Sequence, residues 1–273
     1  LFFVVRKSYK TNQLLFNLVT TSYELARFDL IEFSKLLQDL FKERFAGLLH
    51  SVNDETGDRT IATTGRSQLI AGNDKIVEEL LGLNFEISMK SFFQTNPKSA
   101  EKLYTKVIDY ALEKKDDVNN NIVMDLFCGT GTIGQILASR ASNTKIIGVD
   151  ITETAIEDAI KNAKRNKIDG LKFYTSDVGK FLKNHPEYNN KIRTIILDPA
   201  RSGIAPKTLL KIININADRI VYVSCNPATQ ARDTVELKNH GYIIKKISLI
   251  DQFPHTSHIE TVVLFEKTTS NTI

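Results

Sequence analysis

The sequence predicts an α/β fold: a mostly parallel sheet covered by helices on both faces, with a smaller α+β module ahead of it. Three observations carry that expectation. From Pro97 onward, short β-branched runs alternate with helical stretches, which is the pattern of repeated strand–helix units. Before about residue 90, short strands follow one another around a single helix. Finally, the ends of several expected strands carry reactive or charged groups, at Asp125, Asp150, Asp198, Cys225 and Glu260. Open α/β sheets hold their ligands at such ends.

Taken in order, residues 1–9 and 13–20 read as a hairpin about Lys10-Thr11-Asn12. Asp29 is placed to cap a helix running to about residue 44, with Leu30, Phe33, Leu36, Leu37, Leu40 and Phe41 on one face. Strands are expected near 46–53, 67–71 and 83–89, with a polar loop at 53–58. This first part, residues 1–88, shows no catalytic constellation, so its expected role is to support a substrate or pack on the main domain at 89–273. There a helix at 97–114 leads through a polar linker, 114–121, into a strand at 122–125. Further strands are expected at 145–150, 171–175, 193–198, 219–224, 242–249 and 259–266, the last two as antiparallel neighbours.

Composition narrows the setting. Lys plus Arg number 36 against 32 Asp plus Glu, a net charge of +4 that a solvated surface explains as well as nucleic-acid binding does. The clusters Lys161, Lys164, Arg165, Lys167 and Lys245, Lys246 are no stronger. No run reaches transmembrane length and no signal peptide is evident, so no membrane role is expected. Two cysteines without a CxxC spacing give neither a disulfide framework nor a metal finger, and a reducing, cytoplasmic monomer is expected. A start at Leu1, in mid-strand, leads us to expect a piece of a longer protein.

Asp125-Leu126-Phe127-Cys128-Gly129-Thr130-Gly131-Thr132-Ile133-Gly134 contains a literal G-x-G-x-x-G opening a helix, and Asp150 ends the next strand, where it can take ribose hydroxyls. Two cofactors compete for this loop. The glycine pattern admits a nicotinamide dinucleotide and a hydride-transfer enzyme. Asp125, however, would repel a pyrophosphate and attract a cationic, amine-bearing ligand, which favours S-adenosylmethionine. Cys128, inside the loop, is read as packing.

The turn Asp198-Pro199-Ala200-Arg201-Ser202-Gly203 follows the fourth strand of that domain. Enzymes that methylate amino groups prefer a Pro-aromatic pair after the acid; Ala200-Arg201 instead suits a carbonyl or phosphate oxygen. Cys225 follows the strand 219–224 in Ser224-Cys225-Asn226-Pro227, and a thiol there is already a good nucleophile, a better one when neighbouring charge lowers its pKa. His255 and His258 lack a third ligand, so no metal is expected. Glu260, at the mouth of the apolar strand Thr261-Val262-Val263-Leu264-Phe265, is a candidate general base with a pKa raised by its surroundings.

Together, Ser91-Phe92-Phe93-Gln94-Thr95-Asn96, Asp125-Leu126-Phe127-Cys128-Gly129, Leu197-Asp198-Pro199-Ala200-Arg201, Val223-Ser224-Cys225-Asn226-Pro227 and the segment from His255 to Glu260 resemble the RNA uracil-C5 methyltransferases in order and spacing over residues 85–267. The resemblance implies a class I S-adenosylmethionine-dependent methyltransferase domain, with a Rossmann-like, mostly parallel seven-stranded sheet, and places residues 1–88 as that family's central domain. It implies Cys225 as nucleophile, Glu260 as base, Asp198 and Arg201 as orienting groups, and a cofactor site lined by Gln94, Asp125, Phe127, Gly129, Thr132, Asp150 and Asp198. The family often carries an amino-terminal RNA-binding barrel and a cysteine-ligated iron–sulfur cluster; neither is present in this sequence. The partner implied is RNA, presented as a flipped or single-stranded uridine. The run from Cys225 to Asp233 and the Phe253-Pro254-His255 turn look most like enzymes of 23S ribosomal RNA, with the tRNA branch close behind. A nicotinamide-dependent oxidoreductase and a non-catalytic RNA-binding fragment are the competing readings.

Overall fold

The structure, a computed structural model, describes residues 1–22, 28–54, 66–89, 91–113, 122–141 and 143–268. It divides into two compact units, Leu1–Phe93 and Gln94–Ile273.

In the first unit, β1 (Phe2–Lys7) and β2 (Leu14–Thr20) form the expected hairpin. Asp29 caps α1 (Leu30–Phe41), accepting from the backbone N–H groups of Ile31 and Glu32 at 2.9 Å each. The helix ends earlier than residue 44: it gives way to a 3-10 turn at Lys42–Arg44. Leu37 packs on Leu14, Phe16 and Leu48, whereas Leu36 and Leu40 are exposed, because they fall at one margin of the apolar stripe. α1 is the crossover between β2 and the parallel strand β3 (Phe45–Val52), and β4 (Ser67–Gly72) closes the sheet in the order β1-β2-β3-β4.

A strand absent from the expected pattern, β5 (Lys75–Leu80), pairs with β6 (Leu83–Ser88) through a turn with positive φ at Leu81 and Gly82. The Glu78-Glu79 pair disguised it. Glu78 is buried, and its carboxylate accepts from the backbone N–H groups of Tyr9 and Lys10. The expected loop at 53–58 lies outside the described residues beyond Asp54, as does the expected linker at 114–121 apart from its surroundings.

The second unit begins with α2 (Pro97–Leu112), capped by Asn96 with Pro97 at its first position, and this helix ends two residues short of 114. Then follow β7 (Ile122–Leu126), α3 (Thr132–Arg140), β8 (Lys145–Asp150), α4 (Glu153–Arg165), β9 (Leu171–Thr175), α5 (Val178–Asn184), β10 (Thr194–Leu197), α6 (Pro206–Asn214), β11 (Arg219–Ser224), α7 (Pro227–Asn239), β12 (Tyr242–Ile250) and β13 (Glu260–Lys267). Among the described residues these strands make one seven-stranded sheet, β12-β13-β11-β10-β7-β8-β9. All neighbours are parallel except that β13 runs against both β11 and β12. On one face Phe181, Leu182, Leu209, Ile212 and Leu237, from α5, α6 and α7, pack on Met124, Leu126, Ile195, Leu197 and Tyr222. The other face carries Val123, Ile146, Ile196 and Val221, equally buried.

The register sets the site. Leu126, Leu197 and Tyr222 stand level across β7, β10 and β11. The polar residues that follow those strands therefore emerge along one edge. Because β13 runs the opposite way, it is its first residue, Glu260, that lies at this edge.

Candidate active site

The glycine loop begins the edge. Phe127 takes a positive φ of 64°, and both its N–H and that of Cys128 donate to the Val149 carbonyl, at 2.9 and 3.1 Å. Gly129 and Gly131 are also left-handed, at φ 53° and 68°. A Cβ on Gly131 would stand 2.4 Å from the Phe173 ring, and one on Gly148 would stand 2.5 Å from the same ring, so both glycines serve a close approach of loop and sheet.

Both acids of the loop are engaged by the backbone. Asp150 accepts from Gly129 N at 2.9 Å with one oxygen and from Thr152 N at 2.8 Å with the other. It therefore shapes the loop as well as standing, half-buried, at the end of β8. Asp125 differs more from expectation. It is wholly buried, and its Oδ2 accepts from Gly134 N at 2.9 Å, capping α3 from the neighbouring strand because Gly131 has no side chain to do so. Its Oδ1 finds no hydrogen-bond partner among the described residues. Burial, then the nearby charge of Asp150, push its pKa up to about 7 against the lowering effect of Gly134. A helix start whose donor is already taken by a carboxylate is a poor seat for a pyrophosphate. This corrects the dinucleotide reading of the glycine pattern. Cys128 is a thiol whose pKa burial drives well above the ordinary range, with Asp125 and Asp150 adding to the effect.

The second half of the edge is a coupled group. Asp198 follows β10, and its pKa is pushed up to about 8 by burial, then by Glu260 and Asp125. Glu260, buried at the start of β13, is raised by burial. Cys225, half-buried after β11, feels both carboxylates: burial, Glu260 and Asp198 raise its pKa, and Arg201 pulls it down less strongly. The thiol pKa is thus raised rather than lowered, because burial, with the two carboxylates adding to it, outweighs one exposed guanidinium. Arg201 also meets His258 Nδ1 at 3.3 Å, and Asn226 Nδ2 donates to its carbonyl at 3.1 Å. The turns that follow β10, β11 and β12 therefore converge.

Of the remaining expected residues, Thr132 is buried at the first position of α3, 3.3 Å from the Thr130 hydroxyl, and Gln94 is buried just ahead of the Asn96 cap. Two features escaped the sequence. Tyr104, buried on α2, has its phenol pKa raised by burial first and then by the charges of Asp198, Glu260 and Asp125. Its spacing among Ala100, Leu103 and Val107 reads as plain core. The second is a clasp: Asn96 Nδ2 donates to the Gln252 carbonyl at 3.3 Å, Gln252 Nε2 donates to the Asn96 carbonyl at 3.2 Å, and Ser99 Oγ donates to the Asp251 carbonyl at 2.7 Å. It ties the Gln94 segment to the connection that ends in Glu260, and no local motif announces it.

A parallel sheet closed by one antiparallel strand, with a glycine loop after its first strand in chain order and acids along the same edge, is the architecture of the class I methyltransferases. The profile of the tRNA (uracil-5-)-methyltransferase family matches residues 4–268, and the chain belongs to that family. It is 43% identical over 261 residues to an uncharacterised RNA methyltransferase of Clostridium tetani, covering 95% of this chain and 54% of that protein. An uncharacterised RNA methyltransferase of Caldanaerobacter subterraneus is 42% identical over 267 residues, with 97% and 56% covered. Among solved structures, the Pyrococcus abyssi tRNA (uracil-54, C5)-methyltransferase in complex with S-adenosyl-L-homocysteine superposes with a TM-score of 0.76 at 31% identity, covering 96% of this chain and 59% of that one. The chain thus spans little more than half the length of these relatives.

Gly131→Ala tests the loop geometry. Forcing a side chain into a left-handed residue facing Phe173 should cost roughly 1–3 kcal/mol, read as a lowered midpoint of thermal unfolding. A variant as stable as wild type would mean that the loop does not approach Phe173 as described.

Proposed function

We propose that the chain is the catalytic part of an S-adenosylmethionine-dependent enzyme that methylates C5 of a uridine in RNA. The observation that carries this reading is the meeting of Cys225, Glu260, Asp198 and Arg201 at one sheet edge, beside an acid-lined glycine loop. The residues suit the cofactor: glycines leave room for close approach, Asp125 keeps an unpartnered carboxylate oxygen, and a cationic ligand is complementary to acids whose pKa values are already raised. Gln94, Asp125, Phe127, Gly129, Thr132, Asp150 and Asp198 would hold it. Bound S-adenosylmethionine supplies an electrophilic methyl group.

The chain's own residues do the rest. Uracil C5 is too weak a nucleophile by itself. The Cys225 sulfur, once deprotonated, adds to C6; the C5–C6 electrons move toward O4, giving an enolate whose C5 is electron-rich. Arg201 is a fixed donor for a ring oxygen. Asp198, whose pKa burial raises to about 8, stands beside the same ring as an orienting group. After C5 has gained its methyl group, the Glu260 carboxylate removes the C5 proton. Those electrons re-form the C5–C6 double bond and expel the sulfur as thiolate. Burial raises the Glu260 pKa and so makes it a stronger base than a free carboxylate.

Ribosomal RNA is the first substrate to assay, on the strength of the run from Cys225 to Asp233 and the Phe253-Pro254-His255 turn; tRNA is the second, since the Pyrococcus abyssi relative is a tRNA enzyme. We place the protein in the cytoplasm, as a monomer.

Cys225→Ala should abolish both turnover and any covalent RNA complex. Glu260→Gln should still allow addition and methyl transfer, then stall as a methylated, protein-linked RNA retarded on a denaturing gel. Normal turnover by Cys225→Ala, or by Glu260→Gln, would remove that residue from its role. The raised carboxylates add a second expectation. A cation binds better once Asp125 and Asp198 are ionised, so S-adenosylmethionine affinity should rise as pH goes from about 6 to about 8. S-adenosylhomocysteine, which lacks the sulfonium, should show a flatter profile in titration calorimetry; equal profiles would contradict this electrostatic account.

A further inference from the structure

The proposed chemistry needs Arg201 at an oxygen of the ring that Cys225 attacks, yet Arg201 is exposed on a short turn whose own hydrogen bond, Gly203 N to the Ala200 carbonyl at 2.9 Å, lies within the turn itself. The turn is held from α7. Asn226 Nδ2 and Thr229 Oγ1 donate to the Arg201 carbonyl at 3.1 and 3.4 Å, and Arg232 Nη2 donates to the carbonyls of Ser202 and Ile204 at 3.4 and 3.2 Å.

Beneath these contacts lies Asp233, 3% exposed. Its Oδ2 accepts from the Tyr222 hydroxyl at 2.7 Å and from Ile204 N at 3.0 Å. Its Oδ1 accepts from Arg232 Nε at 2.8 Å and Nη2 at 2.7 Å. One buried carboxylate thus joins β11, α7 and the 200–204 turn, and four donors compensate its burial. The turn fits so closely that a Cβ on Gly203 would lie 2.7 Å from Arg232 Nη2 and 3.0 Å from Asp233 Oδ2. With every oxygen occupied, Asp233 has little left to offer a ligand; what it determines is where the turn lies relative to the residues after β11.

We infer that Asp233 is the positioning residue that fixes Arg201 beside Cys225, acting through Tyr222, Ile204 and Arg232. This inference rests on the reading of Cys225 as nucleophile only for its meaning in catalysis; the positioning itself can be measured without RNA. The charges facing the thiol are Glu260 from β13 and Asp198 and Arg201 from the turn after β10, with His258 against Arg201. Arg201 is the cation among them that favours the thiolate, so releasing the turn makes the thiol harder to ionise.

The test is the pH dependence of Cys225 alkylation by iodoacetamide, followed by peptide mass spectrometry in the whole chain, with the Cys128 peptide as an internal control. Arg201→Gln and Asp233→Asn should each move the midpoint upward, lowering the rate at pH 8 by about threefold, the effect of a half-unit shift on the thiolate fraction. Tyr222→Phe should move it part of the way. The double variant Arg201→Gln/Asp233→Asn should go no further than Arg201→Gln alone, because Asp233 acts through Arg201. A purely structural role for Asp233 predicts a lower unfolding temperature with an unmoved midpoint, or a double variant whose shift is the sum of the two; either result overturns the inference. If Asp233→Asn does not fold, Tyr222→Phe decides: an unchanged midpoint overturns the inference equally. Were Cys225→Ala to retain methylation, the function proposed above would fail while the alkylation result still stood.

Discussion

The antiparallel pairing of β11 with β13 is the constraint on which the rest of the site depends. Ser224 pairs with Thr261, so the residue after β11, Cys225, and the residue before Thr261, Glu260, meet at the same edge of the sheet. Side chains fix that register as well as the ladder does. The Thr261 hydroxyl donates to Gln230 Oε1 at 2.7 Å and lies 3.1 Å from the Ser224 carbonyl, while Gln230 Nε2 donates to the Tyr222 carbonyl at 2.8 Å. A slip of one residue would turn Glu260 to the opposite face. Parallel strands deliver only their carboxyl ends to the ligand edge; reversing one strand lets a residue at the start of a strand join them.

That edge concentrates acids with few cations to balance them. Asp125 and Asp198 sit with pKa values raised to about 7 and about 8, Glu260 and the Cys225 thiol are raised too, and the buried Tyr104 phenol feels the same charges. The sign for stability follows. Each raised carboxylate is accommodated best while protonated, so the folded state loses stability as pH rises from the ordinary carboxylate range through these values. A bound cation would offset that loss. Strain of this kind is typical of functional sites, where the fold retains what packing alone would remove.

Much of this was legible in the sequence because strand ends and turn chemistry are local. The alternation of strands and helices after Pro97, the Asp29 cap, and the residues at each strand end follow from patterns a few residues long. What escaped depends on partners far away in the chain. β5 hid behind Glu78, whose charge is buried by backbone donors about seventy residues earlier. Asp125 was read as an open charge, but its helix-capping partner is defined only once β7 and α3 are packed. The direction of the Cys225 shift could not be read from Ser224-Cys225-Asn226-Pro227, because it is set first by burial in the folded site and then by Glu260 and Asp198, which arrive from other strands. Asp233, in turn, looks like any polar residue on a helix until Tyr222 and Ile204 are seen to converge on it.

The central claim is that this edge places the Cys225 sulfur for addition to a uracil ring, with removal of the C5 substituent as a later, separate step. RNA carrying 5-fluorouridine tests it most directly, because fluorine cannot leave C5 as a proton does. With S-adenosylmethionine present, the account predicts a stable protein–RNA complex whose digest shows a methylated fluorouridine attached to the peptide bearing Cys225. Attachment at Cys128, or the absence of any complex with RNA that is methylated normally when it carries uridine, would contradict it.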